Sequence, residues 1–113
     1  MKREMLVPQP WEPGQATRII RELARDKKLN LAITEHCEER FDERGLLMGD
    51  LLYVLKNGFV YEEPEPSTNP HFHKYQMESE TPNSNGRIVR AVVIPDARNC
   101  TIKAVTIMWV DER

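Results

Sequence analysis

Between Gly14 and Lys28 the chain reads GQATRIIRELARDKK, and its apolar residues recur at helical spacing. Ala16, Ile19, Ile20, Leu23 and Ala24 form one stripe, with Arg18, Arg21 and Arg25 off it, which predicts an amphipathic helix. Lys27 and Lys28 suit its C-terminus, where the last carbonyls carry partial negative charge. Asn30 marks a break, and LAIT (31–34) is a short strand or a helix lead-in. A second helix is predicted from Thr34, whose hydroxyl suits an N-cap. Cys37 and Phe41 fall four apart on its buried side, and Gly45 suits its C-cap. A third is predicted from about Met48 to Lys56, with Leu51, Leu52 and Leu55 as its stripe and Asn57-Gly58 as its end.

Past Gly58 the pattern changes to alternation. FVYEE (59–63) alternates before PEPSTNP breaks the chain. In HFHKYQME (71–78), Phe72, Lys74 and Gln76 take one face, and His71, His73, Tyr75 and Met77 the other. RIVRAVVIP (87–95) and CTIKAVTIMWV (100–110) are β-branched runs, joined by the turn DARN. Asn85-Gly86 is a hairpin signal between 71–78 and 87–95. Three helices followed by a meander predict an α+β fold, with N-terminal helices on one face of a roughly four-stranded antiparallel sheet.

Length and composition narrow the picture. The 113 residues fit one domain with one modest core, and 40% hydrophobic with 30% charged residues is a globular profile. Residues 1–13, with VPQPWEP among them, predict an extended arm; residues 14–113 are the domain. The arm is either a docking segment for a partner through Trp11 or a strap over the first helix. No apolar run has spanning or signal-peptide length, so the expectation is a cytoplasmic chain without membrane contact. Cys37 and Cys100, without a CxxC, read as reduced, partly buried small hydrophobes.

The formal charge of −2 is unevenly spread. Residues 1–30 carry seven basic and four acidic side chains, residues 31–66 three and nine, residues 67–85 one and two, and residues 86–113 five and three. The middle third is therefore acidic, and nucleic-acid binding would need a local basic surface.

The stretch TEHCEERFDERG (34–45), followed by LLMGDLLYVLKNGFV (46–60), resembles the uncharacterised bacterial domain family DUF4258. Its members read roughly T-x-H-A-x-x-R-x-x-x-R-G-I and continue into a helix and antiparallel strands. The resemblance covers residues 31–110 and leaves residues 1–30 as an addition. Cys37 stands where the pattern has alanine, and Leu46 where it has isoleucine. That family is similar to the RelE, ParE and BrnT-like toxins, small α+β proteins, many of them ribonucleases inhibited by an antitoxin. The resemblance implies a toxin-like, metal-independent endoribonuclease that acts on RNA or at the ribosome and binds an antitoxin or another protein. It implies no cofactor. The acidic middle departs from the basic surface usual in such ribonucleases.

Such an enzyme needs a base for the ribose 2′-hydroxyl, an acid for the leaving oxygen and cations for the phosphate. Histidine suits the first two near neutral pH, and arginine the third through its planar fork. The candidate catalytic residues are His36, Arg40, His71, His73 and Arg87. Arg44, Lys74 and Arg90 are candidates for substrate binding. His36 and Arg40, four apart, share a helix face, and Arg87 and Arg90, three apart, point to opposite faces of a strand. Plainer readings stand beside these. Arg40 and Arg44 can pair with Glu35, Glu39, Asp42 or Glu43 in a solvated charge network. His71 and His73 can line a solvated strand edge, or bind zinc with His36. The competing function is a non-catalytic protein-interaction module with the same fold.

Overall fold

Pro13 opens the first helix, α1 (Pro13–Arg25), just before the start predicted from Gly14. Its ring presets the helical φ, and its missing N–H has no helical partner to lose. The computed structural model describes residues 7–112. Within them follow β1 (Asn30–Ile33), α2 (Glu35–Arg44), α3 (Met48–Asn57), β2 (Phe59–Val60), β3 (Glu65–Pro66), β4 (His73–Ser79), β5 (Val89–Asp96) and β6 (Thr101–Trp109). The chain is α+β, as expected. The part of the arm at residues 1–6 lies outside the described residues.

The predicted stripe of α1 is buried throughout. In α3 the buried stripe is Leu51, Val54 and Leu55, while Leu52 is only half-buried. Thr34 caps α2, accepting from the Cys37 N–H at 3.1 Å, and Gly45 ends it in the left-handed region at φ 64°.

The sheet departs from the expected four antiparallel strands. Strands β4, β5 and β6 form the antiparallel meander, with Met77 opposite Ala91 and Ala91 opposite Ile107. LAIT resolves into β1, which pairs with β6 in parallel and makes the sheet mixed. Four residues carry no signal of strand direction, and the crossover that parallel pairing needs is here most of the chain. The strand expected over 59–63 pairs only at Phe59 and Val60 and returns to β4 at Glu65 and Pro66. The main path runs β1-β6-β5-β4-β2.

An irregularity in β6 resets its faces. Val92 pairs with Thr106 and Val93 with Ala104, so Val105 is an extra residue. Ile102 and Ala104 are buried before the bulge, and Ile107 after it. Without the insertion the two halves could not share one buried face. The hairpin before β5 turns at Asn85 (φ 52°) and Gly86 (φ 80°), as their residue types predict.

The described part of the arm is a strap on the sheet. Trp11 is buried and stacks on Tyr75 at 5.4 Å, and its backbone N–H donates to the Tyr75 hydroxyl at 2.9 Å. Gln9 bridges two strands: its amide nitrogen donates to the Pro95 carbonyl (2.8 Å) and its oxygen accepts from the His73 N–H (2.6 Å). Among the described residues no helix is long and apolar enough to cross a membrane. Both cysteines are free thiols.

Candidate functional site

The motif helix α2 sits along β6 and occupies backbone acceptors of that strand. The Thr34 N–H donates to the Ala104 carbonyl (3.1 Å) and its hydroxyl to the Val105 carbonyl (3.0 Å). At the other end, the Arg44 guanidinium donates to the Ile107 carbonyl at 3.0 Å and pairs with Glu112 at 2.8 Å. The Trp109 indole returns a hydrogen bond to the Arg44 carbonyl at 2.9 Å. Cys37 is fully buried beneath the helix, and burial pushes its thiol pKa up. A neutral buried thiol is a packing group rather than a nucleophile. Thr34, Cys37, Arg44 and Gly45 thus have structural work in the fold.

His36 and Arg40 do not share that role. His36 is exposed, and an Arg40 guanidinium nitrogen stands 3.5 Å from its Nδ1. Arg40 also pairs with Glu43, three residues on. The expected shared face is therefore present, as is part of the expected helix charge network.

The other candidates lie elsewhere. His71 is exposed in the turn before β4, where its N–H donates to the Asn69 side chain at 2.9 Å. His73 starts β4, half-buried, with its Nδ1 enclosed and without a hydrogen-bond partner. Strands β5 and β6 separate β4 from the motif helix, a gap of at least about 10 Å at ordinary strand spacing. His36 and the two later histidines therefore do not converge. Among the described residues no group of three His, Cys, Asp or Glu side chains can hold a metal ion.

Arg87 precedes β5. It makes two hydrogen bonds to Asp111, at 3.1 and 2.7 Å, and lies 4.0 Å over the Trp109 ring. Its hydrogen bond holds the Asp111 carboxyl below the usual carboxylate range. Arg44 and Arg87 are thus brought together at Trp109, one by its backbone and one by stacking. Arg90 and Lys74 are on the sheet face opposite the buried Ala91 and Tyr75, and Arg90 pairs with Glu78 at 2.8 Å.

The sequence pattern did not single out an apolar groove beside α2. It measures about 340 Å³, and Ile33, Phe41, Leu47 and Met48 line it, with Glu38 and Asp42 at its edge. Leu47 is 60% exposed and Met48 44%. Three consecutive apolar residues, Leu46, Leu47 and Met48, directly after the Gly45 helix stop were the available signal.

A family model described as "Domain of unknown function (DUF4258)" matches residues 33–109. Comparison with curated proteins and with solved structures finds no match.

Proposed function

The chain belongs to the DUF4258 family, and we propose that it works there as a non-catalytic protein-interaction module. One observation carries this reading. The arginines that phosphate chemistry would use are matched to carboxylates of the same chain: Arg40 with Glu43, Arg44 with Glu112, Arg87 with Asp111 and Arg90 with Glu78. Phosphate binding draws on uncompensated cations, since each contact replaces a condensed counterion. Here each such contact would first compete with an acid already in place. The acidic stretch from residue 31 to 66 adds to that cost. The same surface suits a protein partner, for which paired charges and exposed apolar residues are ordinary material.

The test is affinity isolation of the tagged chain from its native extract after nuclease treatment. A protein retained in stoichiometric amount, and confirmed by mixing the two purified chains, supports the module. Retention that depends on intact RNA contradicts it.

A second reading is the ribonuclease of the RelE, ParE and BrnT type. Its support is the exposed His36 beside Arg40 on the motif helix, where Arg40 meets His36 and Glu43. In that reading His36 acts as base or acid and Arg40 stabilises the phosphate charge.

A further inference from the structure

We propose that the open edge of β1, with the acid-rimmed apolar groove beside it, receives an extended segment of a protein partner in which apolar and basic side chains alternate. The inference rests on the interaction-module reading and names the surface and the partner's chemistry.

The two edges of the sheet are treated differently. The β2–β3 edge is guarded: Glu62, Glu63 and Glu65 stand along it, and Pro64 and Pro66 interrupt it. Charges, prolines and breaks are the usual devices against unwanted strand pairing. The β1 edge, Asn-Leu-Ala-Ile, has neither charge, proline nor bulge, and no strand pairs with its outer side among the described residues. The Asn30 N–H donates to the Cys100 carbonyl and the Thr34 N–H to the Ala104 carbonyl. In a parallel ladder alternate residues face the neighbour, so the N–H and C=O of Leu31 and Ile33 point outward. On the outer side of the terminal strand they can template an added strand.

The groove continues from that edge, because Ile33 lines it. Leu47 is the N-cap of α3, and its side chain makes no cap hydrogen bond. Ser, Thr, Asp or Asn there would satisfy a helix N–H. Leu47 instead leaves the helix end less well capped and its own side chain largely in water, an arrangement with no internal gain. A covering partner supplies the missing gain.

Charge selects the occupant. Glu38 and Asp42 stand on the rim, and Glu35 and Glu39 are on the same helix, while Glu43 is already paired with Arg40. A second copy would set these acids against one another. A segment with Lys or Arg between apolar residues places its apolar side chains in the groove and its cations at the rim.

The probe is a peptide of alternating Leu and Lys, with a Leu–Glu peptide as its control. Binding to the full chain is read by anisotropy, and amide exchange is followed at Leu31 and Ile33. The expected result is binding of the Leu–Lys peptide only, with slowed exchange at those two amides. Leu47→Ser, which improves the cap and keeps the fold, should weaken binding at least about tenfold. Glu38→Lys with Asp42→Lys should reverse the preference toward the Leu–Glu peptide. No binding, or binding that Leu47→Ser leaves unchanged, overturns the proposal. So does a concentration-dependent dimer that Leu47→Ser abolishes, or displacement of the peptide by a single-stranded RNA oligonucleotide. If Leu47→Ser still retains a protein from native extract, the groove is wrong while the module reading stands.

Discussion

The Trp109 indole donates to the Arg44 carbonyl across 2.9 Å, tying the end of the motif helix to the last strand. Arg87 closes the other side of the ring at 4.0 Å. Trp109→Phe keeps an aromatic ring but removes the donor, and it should cost about 1–2 kcal/mol of stability. Urea denaturation would measure this. A change near zero would mean that the indole bond does not anchor α2.

Tyr75 makes stability sensitive to alkali. Burial pushes its pKa up to about 12, from an ordinary value near 10. A group whose folded pKa is raised contributes fully below its unfolded pKa and loses that contribution as pH rises through the folded value. Stability should therefore fall between about pH 10 and 12, by an amount on the order of 2–3 kcal/mol. Tyr75→Phe should be less stable near neutral pH, where the Trp11 N–H loses its acceptor, and flatter over the alkaline range. Denaturation midpoints at successive pH values would show both, and an equally steep alkaline fall in the variant would assign it to another group.

Gly58 is needed for space rather than for an unusual φ. A Cβ there would stand 2.6 Å from the Val54 carbonyl oxygen and 2.8 Å from that of Glu78. Both neighbours are backbone, so the end of α3 would have to move off β4. Arg21 already fixes the Gly58 carbonyl from α1 at 2.8 Å. Gly58→Ala should cost about 1–3 kcal/mol, read as a lower melting temperature. An unchanged melting temperature would show that this junction is loose.

Two substitutions at the start of α3 should act in opposite directions. The buried Asp50 carboxylate accepts from the Thr81 hydroxyl (2.6 Å), the Leu47 N–H (2.8 Å) and the Asn83 amide (3.2 Å). Asp50→Ala strands these donors and should cost about 2–4 kcal/mol. Leu47→Ser should instead gain about 1 kcal/mol. A stabilising change at a groove residue would support the view that Leu47 serves a partner rather than the fold, and a destabilising one would show it to be structural.

The fold was largely legible because each element has its own local period. The α1 stripe, the Thr34 and Gly45 caps and the Asn85-Gly86 turn are all local features, and each stands where its residue type predicts. The direction of β1 was not legible, since it depends on a partner some 70 residues away in sequence. The Val105 bulge was hidden because two short alternations of opposite parity read as one β-branched run. The candidate site was legible only as far as the helix. The four-residue spacing of His36 and Arg40 is a helix property, whereas the gap between α2 and β4 is set by strand order. Sequence spacing also could not reveal which carboxylate each arginine meets, such as Arg44 with Glu112 or Arg87 with Asp111.

Binding without cleavage can be checked by incubating the purified, folded chain with total RNA and with translating ribosomes, with and without EDTA. His36→Ala and Arg40→Ala are run beside it. Intact RNA is expected in every lane, indistinguishable between wild type and variants. Cleavage by the wild type that survives EDTA and disappears in both variants would contradict it and establish a metal-free nuclease on the motif helix.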